Sequence, residues 1–383
     1  MPVQQKDLRT KESKKQLLRG GIDLPFFILV MIILLFGLVM MFSASYANAY
    51  YNNHDALFYI KRQALFAVFG VVAMVIMANI DYHKLHKFAL PLIGITYILL
   101  VIVLFMPKLN GCSRWINLGF TTFQPSEIAK FAVVLLFAHM ISIFNKRMKT
   151  FKFGVLPFLF IIGSIATLMV LEPHLSGTII IVLIGMALML VGGTSVKWFA
   201  AGGAVISAAL AVVAFTPSLI SYAQSRLVNW LDPWKDARGA GWQTIQSLYA
   251  IGSGGLWGLG LGNSRQKYLY IAEPQNDFVF SVTCEELGLI GATIVIILFA
   301  LLVWRGYVIA MRAPDKFGCL LAVGLTTQVG LQAALNIAVV TNSIPNTGIS
   351  LPFFSAGGTS LLMLLFQMGV VLSVSRFSNV EKT

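Results

Sequence analysis

Leu24 to Ser43 reads LPFFILVMIILLFGLVMMFS, twenty residues without a charge. An α-helix needs about 20 consecutive apolar residues to cross the hydrocarbon core of a bilayer, and this run supplies them. The run follows a basic tail and precedes Ala47-Asn48-Ala49, a small-residue pattern that could end a cleaved signal. Its apolar length of about 18 residues exceeds that of an ordinary signal and no soluble domain follows, so it reads as a retained helix.

The rest of the chain repeats the pattern. Hydrophobic residues are 57% of 383 and the mean hydropathy is +0.81. Apolar runs place spans near 24–43, 64–80, 88–106, 125–144, 153–171, 177–192, 196–216, 278–303, 317–340 and 349–374. The expected fold is therefore an all-α polytopic membrane protein of about ten transmembrane helices. Lys and Arg cluster on alternate connections: Lys6 to Arg19, Lys84 and Lys87, Lys146 to Lys152, Lys197, Arg305 to Lys316, Arg376 and Lys382. Basic loops stay in the cytoplasm, which puts both termini inside. The expected organisation is a cytoplasmic tail over 1–23, helices 1–7 over 24–216, a large extracytoplasmic loop over 217–276, helices 8–10 over 277–374 and a second tail over 375–383. This topology accounts for most of the net charge of +13, because positive loops sit well against anionic headgroups, and no nucleic-acid partner is needed.

Cys112, Cys284 and Cys319 have neither metal-type spacing nor the even count of a disulfide framework. No metal site is expected, and no triad, Walker loop, HExxH or CxxC motif occurs. No fixed-period repeat or two-halves symmetry of the transporter kind is visible. The 217–276 loop is far longer than an ordinary connection, and Trp230, Trp234, Trp242 and Trp257 predict that it docks on the membrane or the bundle. Within it, GSGGLWGLGLGNSRQK predicts tight turns whose exposed backbone N–H groups, with Arg265 and Lys267, suit a phosphate.

Polar residues inside or beside spans are the next signal, since each needs a partner or a wet cavity. In QPSEIAK, Glu127 and Lys130 stand at i, i+3 and form either a structural ion pair or a cavity wall. His139 on the same helix reads as a packing residue. Gln328, Gln332 and Asn336 line one helix face, as interhelical glue or cavity lining. TNSIPNTGISLPFFSAGGTS, rich in turn formers, predicts a broken entry into the last span, tolerated only where backbone lines a cavity or is buried in protein. YIAEPQNDFVFSVTCEELGLIG sets Glu273, Asp277, Glu285 and Glu286 around the start of span eight. Asp277 is open to two readings, a helix cap or a catalytic carboxylate.

These blocks, taken in order with FSASY (42–46), RWINLG (114–119), EPHLSG (172–177), LDPWKDARGAGWQTIQSL (231–248) and LPFFSAGGTSLL (351–362), resemble the SEDS proteins of bacterial cell-wall synthesis, the FtsW, RodA and SpoVE group. The resemblance covers nearly the whole chain, and GLGLGNSRQK with the long DPWKD loop looks closer to the division and sporulation members. It implies a peptidoglycan glycosyltransferase that polymerises lipid II at the outer face of the cytoplasmic membrane. It also implies Asp277 as the essential acid, with Glu127 and Lys130 important. Arg114, Lys267, Arg265 and Arg226 are the outward candidates to meet the pyrophosphate, the other reading of each being an ordinary interfacial anchor, and Gln266 and Ser355, inside the shared blocks, complete the expected substrate-binding set. A class B penicillin-binding protein is the implied partner, with other divisome or elongasome membrane proteins. A divalent cation, Mg or Mn, is compatible with the chemistry.

The chain departs from the family pattern at Pro173-His174 where many members have Pro-Asp, at Cys112-Ser113 before the Arg of RWI, and at Ala356 where a tyrosine is familiar. Two other functions stay in view. A lipid flippase would need polar groups continuing into the cytoplasmic half, and a scaffold that only recruits a transpeptidase would give Asp277 a purely structural role.

Overall fold

The computed structural model describes residues 20–107, 114–117, 119, 122–202, 230–239 and 241–377. The chain is helical almost throughout. In order come α1 (Leu24–Asn53), α2 (Phe58–Asn79), a 3-10 segment (Tyr82–Phe88) leading into α3 (Ala89–Leu104), a two-residue antiparallel pair β1 (Ile116–Asn117) and β2 (Thr122–Phe123), and α4 (Pro125–Phe144). Then follow α5 (Leu156–Leu171), α6 (Leu175–Gly192), a short α7 (Trp242–Ser253), α8 (Val279–Met311), α9 (Lys316–Val340) and α10 (Gly358–Arg376). Among the described residues nine helices are long and apolar enough to cross a membrane. The expected span 196–216 lies outside the described residues from position 203 onward, as do Cys112 and Arg226.

Burial sorts the helices into two shells. Residues 129–138 of α4, 320–329 of α9 and 367–375 of α10 are buried on every side, which places these helices at the centre of the bundle. Around them α1, α3, α5 and α8 turn Leu35, Ile98, Phe160 and Ile297 outward to lipid. Helices α2 and α10 approach closely because Gly70 and Gly369 lie in the contact. A Cβ at Gly369 would stand 2.5 Å from the Met74 carbonyl oxygen. At one end of the bundle Asp23 caps α1 by accepting from the Phe26 N–H at 3.0 Å, and the Arg305 guanidinium donates to both its oxygens at 2.9 and 2.8 Å. His139 meets His86, their Nδ1 atoms 2.7 Å apart, as a packing residue would.

Several helix limits differ from the hydropathy runs. Helix α1 continues to Asn53, because no breaker occurs before His54, which takes a left-handed conformation with φ 54°. Helix α2 begins at Phe58 and so includes Tyr59, Arg62 and Gln63. The last span starts at Gly358, and residues 345–357 are not helical. Hydropathy measures the lipid-facing length of a helix, and polar end turns that face protein escape it.

Candidate active site

Helix α8 is two helices joined at Gly288, where φ is 65° and ψ is −165°. Residues 279–287 form a half-helix, and the chain from Leu289 to Met311 makes the crossing. The ladder between them is opened by the glycine-rich loop. In a continuous helix the carbonyls of Glu285 and Glu286 would accept from the N–H groups of Leu289 and Ile290. Here those carbonyls accept from Leu259 N and Gly260 N, each at 2.9 Å, while Leu289 N and Ile290 N donate to Gly255 O and Leu256 O at 2.9 and 3.3 Å. Only glycine permits this approach. A Cβ at Gly258 would lie 2.1 Å from the Glu286 carbonyl oxygen, and one at Gly288 would lie 2.4 Å from Gly258 N.

The other end of the half-helix enters a cavity of about 530 Å³, lined among others by Tyr59, Arg62 and Gln63 of α2, Glu127 and Lys130 of α4, Arg114, His174, Asp277, Gln332 of α9 and Ser355. One wall is the non-helical segment before α10. Its carbonyl at Phe353 packs against Gly37, thirteen residues along α1 from Leu24, about 20 Å by helical rise and so within the ~30 Å thickness of a hydrocarbon core. Backbone at that depth must be satisfied by protein. It is: Asn336 Nδ2 donates to Ile349 O at 2.6 Å, Gln63 Nε2 to Ser355 O at 3.1 Å, Gly357 N to Gln63 Oε1 at 3.0 Å and Ala356 N to Gln275 O at 2.7 Å.

Asp277 stands two residues ahead of the half-helix, and the backbone around it is held by Asn336 Nδ2 donating to its carbonyl at 2.8 Å. Its side chain does not cap: Phe278 occupies the cap position and no side chain caps the helix. The carboxyl therefore faces the cavity, half-buried, 3.2 Å from where a Cβ on Gly348 would be. Burial, and then the neighbouring Glu273, push its pKa up to about 6, while Arg114 pulls the other way. Glu273 itself is exposed and accepts from Asn276 Nδ2 at 2.8 Å.

Across the cavity Lys130 Nζ donates to Glu127 Oε1 at 2.8 Å, with the lysine side chain 3% and the glutamate 12% exposed. Arg114 donates from Nη2 to the Pro173 carbonyl oxygen and keeps a buried Nε without a partner. Beside it Glu172 is 1% exposed with Oε1 unpartnered, and burial pushes its pKa up to about 8 against the pull of Arg114. His174 Nε2 lies 3.2 Å from both Gln124 Nε2 and Ser126 Oγ. Burial first, then the Arg114 and Lys130 charges, bring it down to about 3, so the imidazole is neutral.

Of the residues expected from sequence, Asp277, Glu127, Lys130, Arg114 and Ser355 share this cavity. Ser355 Oγ accepts from Leu351 N at 2.7 Å and so shapes the wall. Lys267 is a correction. It is 2% exposed, and its Nζ donates to Glu286 Oε1 at 2.9 Å, Gly262 O at 2.6 Å and Ser43 Oγ at 3.2 Å, so all three protons are used inside the protein. The expected phosphate nest is corrected with it, because its anion is internal. Glu285 accepts from Ser264 Oγ at 2.5 Å, Arg265 N at 2.9 Å and Gln266 N at 3.3 Å. Gln266 and Arg265 lie in that loop and outside the cavity lining. Gln332 and Asn336 reach the cavity region, whereas Gln328 donates to Gln367 at 2.9 Å and is interhelical glue. Arg62 and Gln63 were not singled out in the sequence, although two polar residues directly before an apolar run are a usable signal for a cavity-facing first turn. Among the described residues no group of three or more His, Cys, Asp or Glu is placed to hold a metal ion.

The cell cycle protein family FtsW/RodA/SpoVE matches positions 23–380. The chain is 41% identical over 361 residues to the stage V sporulation protein E of Bacillus subtilis, covering 93% of this chain and 97% of that one. It is 37% identical to a "Probable peptidoglycan glycosyltransferase FtsW" of Geobacter sp., over 93% and 97% of the two chains. Among solved structures it is similar to a chain of a peptidoglycan synthase complex that coordinates polymerization and crosslinking, with a TM-score of 0.77, 28% identity and coverage of 93% and 98%. It is also similar to the Thermus thermophilus rod shape determining protein RodA, with a TM-score of 0.66, 25% identity and coverage of 94% and 98%.

Proposed function

Because this chain belongs to the FtsW, RodA and SpoVE family of cell cycle proteins, we propose that it is a peptidoglycan glycosyltransferase in which Asp277 is the base that activates the acceptor sugar. It is a multi-pass protein of the bacterial cytoplasmic membrane, and its kinship with FtsW and SpoVE supports a place in division or sporulation septum synthesis. The single observation that carries the assignment of the base is the Asp277 carboxyl. It is half-buried and uncapped, faces the cavity, and has a pKa near the range where a base is useful.

Lipid II presents a sugar hydroxyl on one molecule and a pyrophosphate-linked anomeric carbon on another. As the acceptor hydroxyl oxygen bonds to the donor's anomeric carbon, its proton passes to an Asp277 carboxylate oxygen and the bond from that carbon to the pyrophosphate oxygen breaks. The leaving polyprenyl pyrophosphate carries off the electron pair, and cations already in place stabilise it without reorganisation. Arg114, Arg62 and Lys130 are the lining cations suited to that work. Lys130 is held by Glu127, which fixes the direction of its charge. The outward direction of the 217–276 loop and the inward termini rest on the distribution of basic residues. A class B penicillin-binding protein supplies crosslinking, a pairing supported by similarity to a chain of a peptidoglycan synthase complex.

The test is lipid II polymerisation by the purified protein, alone and with its partner. Glycan strands from the wild type and a rate lower by about 10² to 10⁴-fold from Asp277→Asn are expected. A wild-type chain that never polymerises in either state would overturn the assignment.

A further inference from the structure

The half-helix 279–287 is cut off from the rest of α8 at Gly288, so helical continuity does not hold it in place. What holds its far end is a knot around two buried carboxylates. Glu285 and Glu286 are each 0% exposed. Glu286 accepts from Ser43 Oγ of α1 at 2.7 Å, from Lys267 Nζ at 2.9 Å and from Ser264 N at 3.3 Å, while Glu285 takes the three donors from the loop described above. One ammonium, two hydroxyls and three backbone N–H groups thus bind two adjacent carboxylates to α1 and to the glycine-rich loop. At the near end the ties are Asn336 to the Asp277 carbonyl and Ser281 Oγ to Ser247 Oγ at 2.7 Å.

We propose that this knot is a positioning clamp for Asp277, in which Lys267, Glu286 and Ser43 fix the half-helix against α1 and so set where the carboxyl stands in the cavity. The proposal rests on Asp277 being the base. Asp277 and Glu285 are eight residues apart, about 12 Å by helical rise, so the half-helix acts as a lever. A small rotation at the knot is carried to the carboxyl at the other end. Satisfied buried networks favour one arrangement of the groups they join, whereas an apolar contact at the same place would tolerate several. Lys267, Glu286 and Ser43 do not line the cavity, which makes them positioning residues.

Lipid II polymerisation by the full chain with its partner tests this through K267M and S43A, each made alone and together with D277N. A misplacement of about 1 Å costs on the order of 10²-fold in rate, so K267M is expected to lower kcat by about that factor with KM little changed. S43A, which removes one hydroxyl and no charge, is expected to lower it about tenfold. Both should move the acid limb of the pH–rate profile, because the carboxyl then sits in a different part of the cavity. Neither should reduce the residual rate of D277N further, since the clamp acts only through that carboxyl. If K267M does not insert, S43A carries the same comparisons. Wild-type rates in both variants, with D277N slowed, would remove the clamp and leave the base standing. An equal loss in the D277N background would mark the knot as merely structural and overturn the proposal. D277N at wild-type rate would remove the base, and the clamp with it.

Discussion

Asp277→Asn should make the protein slower and more stable together. A carboxyl whose pKa rises from 3.8 to about 6 on folding is one the folded state would sooner keep protonated. With the pKa raised, the folded chain holds a proton that the unfolded chain has already released between about pH 4 and 6, so stability falls as pH rises through that window. About two units correspond to roughly 3 kcal/mol at neutral pH, and water in the half-open cavity reduces that to about 1 to 3 kcal/mol. Asn has nothing to ionise. Thermal unfolding of the purified protein should therefore show D277N above the wild type at pH 7.5 and the gap closing as the pH falls towards 4. The rate should fall by about 10² to 10⁴-fold, the usual contribution of a positioned base. In the wild type, polymerisation should drop about tenfold between pH 7 and pH 5 as the carboxylate is protonated, whereas a carboxylate at its ordinary pKa would lose almost nothing over that range. A flat profile across that range, or a D277N protein that is destabilised at pH 7.5, would show that Asp277 has a structural partner and is not the base.

Two further outcomes follow from buried groups. Glu127→Gln or Lys130→Met leaves a buried charge without its partner and should cost on the order of 3 kcal/mol in thermal unfolding, a larger loss than an exposed change such as Lys235→Met. Normal stability and normal polymerisation in both single variants would contradict a closed pair. Gly288→Ala places a methyl 2.4 Å from Gly258 N at a positive φ, so the loop cannot stay threaded into the ladder, and the variant should accumulate poorly in membranes. Wild-type accumulation and activity would mean that the break at Gly288 is dispensable.

Much of the fold was legible because a bilayer imposes length on every crossing, and runs such as Leu24–Ser43 are readable without any tertiary knowledge. The Glu127–Lys130 pair was legible for a similar reason, since i, i+3 spacing is local. Asp277 stands out by type and position, but setting the cap reading aside needs the cap position, which Phe278 occupies. Lys267 and the glycine-rich loop mislead a reading of sequence for the opposite reason. Exposed N–H groups followed by a lysine do describe an anion site, and the anion is supplied by Glu285 and Glu286, about twenty residues further along. Spacing of that order has no period. Only the closed loop shows that the site is already filled. Arg62 and Gln63 escape a hydropathy reading because it trims the polar first turn from a span, and α2 begins before its apolar run does.

The threading of the loop into α8 also orders the birth of the protein. Residues 254–267 leave the ribosome before Glu285, Glu286, Leu289 and Ile290 exist, and the groups that satisfy the loop are those four residues. Until they arrive, the loop has open amides and an ammonium without its acid, and it cannot settle in an apolar setting. The glycine-rich loop therefore closes only after the start of the eighth helix has been made, and Ser43, synthesised more than two hundred residues earlier, waits for that moment to receive its partner. The part of the chain that would hold the catalytic carboxyl is assembled late, from segments that insert early.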